Sequence, residues 1–242
     1  MKKKKTILVS GGNGSFPKEV YKIADKSRYN VILLSRQEMD VSNRSQVINA
    51  INKLSPDYFL HSGALTRPMD IHEKYPEKSI LNNIIGTSNV TIECMKRNIK
   101  LIYISTDHVY EGKIGNYSES DPVMPINSYA WSKLGGECSV QLYKNSCILR
   151  LAMVKYPFPH EYAISDSYKS SIFIRDAAEI SLKFIDKTGT YNIGGDRMSI
   201  YSFAKKSNPD IKKILLKDIK GVKMPHDVSM NLYKMKKVLK ND

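Results

Sequence analysis

The apolar run Thr6-Ile7-Leu8-Val9-Ser10 leads directly into Gly11-Gly12-Asn13-Gly14-Ser15-Phe16-Pro17, and behind it Val20, Ile23 and Ala24 recur at helical spacing between Lys18 and Lys26. A strand, a glycine turn and a helix start, in that order, read as the opening of a mostly parallel α/β sheet. The same order lets backbone amides and a helix N-terminus receive the pyrophosphate of a dinucleotide. A glycine turn alone is often only a loop, so this reading depends on the rest of the chain.

A second stretch, Leu101 to Glu137, carries the chemistry. Leu101-Ile102-Tyr103-Ile104 reads as a buried strand ending in Ser105-Thr106-Asp107, and Tyr129-Ala130-Trp131-Ser132-Lys133 puts Tyr129 and Lys133 at i, i+4 on one helix face. A phenol with an unperturbed pKa of about 10 is a poor acid at neutral pH, but an ammonium one turn away favours the phenolate and lowers that value. Thr106, with Ser105 beside it, then holds a carbonyl oxygen while Tyr129 delivers a proton to it. The spacing alone leaves the alternative open: an amphipathic helix with one buried aromatic and one solvated lysine.

The ordered set of pieces is more specific than either stretch. Gly11-Gly12-Asn13-Gly14, Asp40-Val41, Pro56-Asp57, His61 to Thr66, Asn83 to Thr87, Tyr103 to Tyr110, Tyr129 to Lys133 and Ile148-Leu149-Arg150 follow one another, continued more thinly by Ile172 to Ala178 and Tyr191 to Gly195. In this order they resemble the extended short-chain dehydrogenase/reductase family, and within it the branch that reduces the C4 keto group of a nucleotide-linked 4-keto-6-deoxy sugar.

The resemblance implies a Rossmann-type doubly wound parallel sheet with helices on both faces. It implies an NAD(P)-binding domain over residues 1–150 and a small, reduced substrate-side lobe over 151–242, interleaved with the sheet. The activity implied is that of a reductase in deoxysugar biosynthesis, with a nucleotide-sugar substrate. A bound nicotinamide supplies hydride, Tyr129 protonates the oxygen, Thr106 orients it, and Lys133 lowers the Tyr129 pKa and bonds the nicotinamide ribose. Gly11, Asn13, Gly14, Ser15 and Phe16 fall to the pyrophosphate; Ser62, Gly63 and Ala64, small enough for close approach, to the ribose; Asp40 and Val41 to the adenine. Two other readings stay open: a nucleotide-sugar epimerase or dehydratase that regenerates its cofactor, and a non-catalytic dinucleotide-binding subunit that regulates a partner.

Asn30 to Leu34 reads as the second strand, ending in Ser35-Arg36 where an NAD-preferring fold usually carries an acidic residue. Arg36 pairs instead with a 2′-phosphate, which favours NADPH over NADH; a solvated arginine is the plain alternative. Asp40 equally reads as the cap of a helix from Ser42 to Leu54. Tyr58 to His61 reads as the fourth strand, with His61 structural rather than catalytic. Pro76 to Arg97 reads as one long helix with Ile80, Ile84, Val90 and Met95 toward the core, and in the family the position of Asn83 steadies the active-site backbone. Glu111 to Ser128 is a loop at the cleft mouth that leaves Glu119 and Asp121 on the surface. Gly135 and Gly136 permit close packing of the catalytic helix, which in the family lies in a dimer interface, so a homodimer is among the expectations. Asp176 reads as a helix N-cap, and 201–206 and 229–240 as helices of the C-terminal lobe.

Two departures from the family's pattern bear on function. Pro17 stands at the third glycine of the phosphate turn; proline fits a first helical turn, but its ring works against close strand–helix packing. Between Arg150 and Ile172 only a short segment with Pro157, Phe158, Pro159 and His160 remains, where the reductases carry a longer insertion that closes over substrate.

A formal charge of +14 invites a nucleic-acid reading. The lysines are spread along the whole chain, however, and no nucleic-acid module is visible, so no nucleic-acid partner is expected. Cys94, Cys138 and Cys147 lack metal or disulfide spacing, which suits a reducing cytoplasm and no metal. The charged start, Met1 to Lys5, precedes an apolar run too short for a signal peptide, and no stretch is long enough to span a bilayer, so no membrane partner is expected.

Overall fold

The structure is a computed structural model that describes residues 3–240; Met1 and Lys2 of the lysine-rich start lie outside the described residues. In chain order the first half runs β1 (Lys5–Ser10), α1 (Ser15–Ile23), β2 (Tyr29–Leu34), α2 (Arg44–Leu54), β3 (Tyr58–His61), α3 (Ile71–Lys74), α4 (Pro76–Ser79), a π-helical segment Ile80–Ile85, α5 (Gly86–Lys96), β4 (Lys100–Thr106), α6 (Ser128–Gln141) and β5 (Ser146–Leu151). Then come β6 (Met153–Val154), β7 (Tyr162–Ile164), β8 (Tyr168–Lys169), β9 (Ile172–Phe173), α7 (Ile174–Lys183), β10 (Gly189–Ile193), β11 (Met198–Ser199), α8 (Ile200–Ala204), β12 (Lys212–Ile214) and α9 (Tyr233–Lys240).

The main sheet has the order β10-β5-β4-β3-β1-β2, and every pairing in it is parallel. Its middle strands β3, β4 and β5 are buried along their whole length, as strands covered on both faces must be. Alternation sorts their side chains. Val9, Leu60, Ile102, Ile104 and Leu149 join Val20 of α1 and Ala177 and Ala178 of α7 in one core; Leu8, Phe59, Leu101, Tyr103 and Ile148 join Ile51 of α2, Val90 of α5 and Val140 of α6 in the other. This is the doubly wound architecture expected from the sequence.

Several local expectations are corrected. Helix α1 begins at Ser15 and ends at Ile23, so Pro17 lies in its first turn and is buried there. Tyr58–His61 is the third strand in chain order, after β1 and β2. The stretch from Pro76 is not one α-helix: the π turn at Ile80–Ile85 advances the register, leaving Ile80 and Met95 exposed and turning Asn83, Thr87 and Cys94 inward with Val90. Glu119 is not a surface residue; its side chain is 6% exposed and its Oε1 accepts from the Asn192 amide at 3.0 Å. Phe173, not Asp176, is the N-cap of α7, and Asp176 sits in the first turn, where it complements the helix dipole. The apolar stripe on and before α9, Leu232 and Met235, packs into the main core rather than the lobe. The lobe holds α8 and a satellite cluster of Phe158, Ala163, Ala204 and Ile211.

Candidate active site

The strand order reverses between β1 and β3, and in open parallel sheets the crevice beyond the strand ends at such a point is where ligands bind. Here it is lined by backbone. Gly11 has φ +76°, and a Cβ on it would stand 2.8 Å from the Gly63 Cα. A Cβ on Gly63 would in turn meet the Ser10 Oγ at 3.2 Å. Gly14 caps α1 without any side-chain hydrogen bond, so the amides of Ser15 and Phe16 at the helix start are left for an anion. Asn13, Gly14 and Ser15 are exposed around this opening, while Phe16 is buried in the core. Ser62 donates its hydroxyl to the Ser10 carbonyl at 2.7 Å, tying the two strand ends together, and Ala64 continues the wall half-buried. A cradle that a Cβ would fill, beside an uncapped helix start, fits a dinucleotide.

Beyond β2, the Arg36 Nε donates to Asp40 Oδ2 at 3.1 Å on an exposed turn. Asp40 Oδ1 accepts from the Ser42 amide and hydroxyl at 2.9 and 2.7 Å. The cap of α2 is Asn43, whose side chain accepts from the Gln46 amide, so the capping reading of Asp40 fails. Val41 is buried, and a Cβ on Gly86 would come 2.7 Å from it.

On the other side of the crevice β4 ends at Thr106, and α6 starts behind Asn127, whose Oδ1 accepts from the Ala130 amide at 2.9 Å. That cap fixes where the first turn presents Tyr129 and where, one turn on, Lys133 enters the interior. Close packing does the rest: a Cβ on Gly135 would meet Ile84 at 2.8 Å, and one on Gly136 would meet the Asn83 carbonyl at 2.9 Å. Asn83 donates to the Leu65 carbonyl (2.9 Å) and the Ser132 hydroxyl (2.8 Å) and accepts from the Leu65 amide (2.7 Å), holding the loop after β3 against α6 as expected.

Electrostatics differ from the sequence expectation. Tyr129 is not drawn down by Lys133. Burial, and next the Asp107 carboxylate, push the phenol up to about 12, while a hydrogen bond with Thr106 and the charge of Arg67 work against them. Lys133 is itself buried, with its Nζ 4.2 Å from the centroid of the Tyr103 ring; burial lowers it to about 7, opposed by Glu137. Desolvation of both groups outweighs the attraction expected from their spacing. His61 is structural as expected: its ring lies between the Ser10 hydroxyl (2.7 Å) and the Thr87 hydroxyl (3.1 Å), and burial holds its pKa at about 3.

Sequence reasoning missed the shell around Tyr129. His72 packs its ring 5.1 Å from that of Tyr129 and bonds the Ser79 hydroxyl through Nδ1 at 2.7 Å. Asp107 accepts from the Thr106 hydroxyl at 3.1 Å through Oδ1 and pairs through Oδ2 with Lys169 of β8 at 2.9 Å. The Lys169 ammonium also donates to His108 Nε2 at 3.0 Å, which puts the imidazole proton on Nδ1, an atom without a partner among the described residues. An orphaned buried N–H of this kind costs about 1–3 kcal/mol. Below the site, Arg150 is braced by Glu137 at 2.8 Å and donates to the Tyr110 hydroxyl at 2.9 Å. Asp107 stood in plain view beside Thr106, but nothing in the local sequence marks Lys169.

The chain is 29% identical over 217 residues to the spore coat polysaccharide biosynthesis protein SpsK of Bacillus subtilis, covering 82% of this chain and 76% of that protein. It is 29% identical over 147 residues to the dTDP-4-dehydrorhamnose reductase of Aggregatibacter actinomycetemcomitans, 60% of this chain and half of the relative's length. The crystal structure of dTDP-4-dehydrorhamnose reductase from Bacillus anthracis in complex with NADP superposes with a TM-score of 0.89 over 97% of this chain and 92% of that one, at 24% identity, a likeness of fold. Residues 5–161, well over half of the chain, match the family described as the RmlD substrate binding domain. The parallel strand order is that of the solved structure it superposes on, and the chain belongs to the RmlD substrate binding domain family of the extended short-chain dehydrogenases/reductases.

Proposed function

We propose that this protein is an NADPH-dependent reductase of the C4 keto group of a nucleotide-linked 4-keto-6-deoxy sugar, acting in deoxysugar biosynthesis. The observation that carries the reading is the placement of Thr106 at the end of β4 and Tyr129 in the first turn of α6, near enough to influence one another, at the edge of a crevice whose glycines leave room for a dinucleotide. Gly11, Asn13, Gly14 and the Ser15 and Phe16 amides hold the pyrophosphate, with Pro17 adding no donor. Ser62, Gly63 and Ala64 flank the ribose, Val41 and Asp40 border the adenine, and Arg36 meets a 2′-phosphate.

When bound, NADPH supplies hydride; the chain's own residues orient the carbonyl and manage the proton. Thr106, whose single hydroxyl proton rests on Asp107 Oδ1 before substrate binds, turns that proton to the substrate oxygen. Tyr129, held protonated at neutral pH by its raised pKa, is the acid that protonates that oxygen as negative charge develops on it. Lys133 lies one turn along the same helix, reaching toward the nicotinamide ribose, and becomes a stronger electrostatic partner as it takes up a proton near neutral pH. The substrate-side lobe, those parts of residues 151–240 that lie outside the main sheet and its core, covers the sugar.

Among the described residues no helix is long and apolar enough to cross a membrane, and Cys94, Cys138 and Cys147 are all free, which supports a cytoplasmic site for the reaction. Exposed Ile85, Ile92 and Met95 along the π segment and α5 support a homodimer through that face. The test is NADPH and NADH binding to the purified protein, followed by cofactor oxidation with a panel of dTDP- and UDP-linked 4-keto-6-deoxy sugars. Net oxidation with one of them is expected; tight binding with no oxidation by any would point to an epimerase or a regulatory subunit.

A further inference from the structure

We propose that Lys169, supplied by the substrate-side lobe, is a positioning residue of the active site that neutralises the Asp107 carboxylate and through it aims the Thr106 hydroxyl. The inference rests on the reductase reading above for its kinetic consequence, and on geometry alone for its structural one.

The contacts form a continuous line. Lys169 Nζ is 2.9 Å from Asp107 Oδ2, and Asp107 Oδ1 accepts the Thr106 hydroxyl at 3.1 Å. The Thr106 Oγ1 in turn accepts from the His108 amide at 3.2 Å and is close enough to the Tyr129 phenol to favour its ionised form. Both charged ends are sheltered: the Asp107 side chain is 2% exposed and that of Lys169 15%. Lys169 reaches this point from a different part of the fold. It sits on β8, paired antiparallel with β11, and the neighbouring Tyr168 donates to the His226 carbonyl and accepts from the Val228 amide. The lobe therefore delivers a charge directly behind the residue that orients the carbonyl.

The groups facing this line decide what removal of Lys169 does. Around Asp107 stand His108, 4.0 Å away, and Lys169; around Tyr129 stand Arg67, His72 and, one turn on, Lys133. Without the ammonium, a buried carboxylate is left unpaired beside Tyr129 and holds the single Thr106 proton more tightly, so the hydroxyl is no longer available to the substrate oxygen. His108 then becomes the cation nearest to Asp107 that acidification can create, whereas His72 and Lys133 face Tyr129 in the native and variant proteins alike. In the native protein burial and Lys169 hold its pKa at about 4, with Asp107 opposing them. Loss of Lys169 removes one of the two lowering influences and leaves the raising one, so His108 titrates at higher pH and its imidazolium takes over the missing charge.

The experiment compares the native protein with Lys169→Met, Lys169→Arg and the double variant Lys169→Met/Asp107→Asn. Two readouts are followed from pH 5 to 8: kcat for sugar-dependent NADPH oxidation, and the ionisation of His108 by nitrogen-15 NMR of histidine-labelled protein. Lys169→Met is expected to lower kcat at pH 8 by roughly 10- to 100-fold, the scale of a misplaced orienting group. That loss should shrink as the pH falls and His108 protonates. Lys169→Arg should retain most of the activity, and the double variant should lose the acid recovery. Lys169→Met with native kcat and a native pH profile would overturn the proposal. If the native protein reduces no sugar, the reductase reading fails on its own, and the NMR arm still decides: an unchanged His108 titration in Lys169→Met overturns the link, and an upward shift supports it.

Discussion

The sheet and the substrate-side lobe hold their shape by different means. In the sheet, whole strands are buried on both faces and each alternate side chain enters one of two cores. The lobe is built from ribbons of two or three residues per strand around the small cluster Phe158, Ala163, Ala204 and Ile211. The groups that must not move, the glycine cradle, Thr106 and Tyr129, are mounted on the first kind of structure. Lys169 is mounted on the second, which suits a region that has to open for a bulky substrate.

The strongest test of that contrast is Arg150→Met. It strips Glu137 of its partner in the interior behind the catalytic helix, and breaking a buried pair of this kind costs about 3–5 kcal/mol. A urea midpoint close to that of the native protein would show that the sheet does not depend on this brace. Next in size, Leu101→Ala in β4 should lower global stability by about 2–5 kcal/mol. Phe158→Ala should act locally instead. It should speed amide exchange in β7 and β12 while leaving NADPH affinity unchanged, and a uniform rise in exchange across the sheet would break the distinction between the two regions.

Acid should act on the sheet side first. His61 and His108 are held neutral by burial, with pKa values of about 3 and about 4. Each titrates near 6.5 in an unfolded chain. Between these values the unfolded state binds more protons than the native state, so stability is full above about 6.5 and falls with decreasing pH, by up to about 1.4 kcal/mol per pH unit for each histidine. Denaturation midpoints at pH 7, 6 and 5 check the sign; a midpoint that rises toward pH 5 would contradict it. At the small end, Lys212→Ala removes an exposed pair with Glu161 between β12 and the loop before β7, and should leave the midpoint where it was.

How far the sequence could be read follows the same division. The glycine turn, the buried β4 and the i, i+4 pair are local patterns with local causes, and the order of those pieces is what made the fold and the Thr106–Tyr129–Lys133 edge visible. The pKa of Tyr129 was not visible, because spacing reports proximity and says nothing about desolvation. The register of Pro76 to Arg97 was lost at the π turn, which no periodicity announces. Glu119 looked like a loop carboxylate but bonds a strand amide more than seventy residues away in the chain. Lys169 is the extreme case: its meaning comes entirely from a contact across the crevice with Asp107.

The most direct test of the central claim is isotopic. The protein is incubated with nicotinamide-4-deuterated NADPH and the dTDP- and UDP-linked 4-keto-6-deoxy sugar panel, and the product is read by NMR and mass spectrometry beside a Tyr129→Phe control. Deuterium bonded to C4 of the sugar, matched by an equal amount of oxidised cofactor and absent with Tyr129→Phe, is the predicted result. A sugar changed at C4 or elsewhere without deuterium and without net NADPH consumption, or full transfer by Tyr129→Phe, would contradict it.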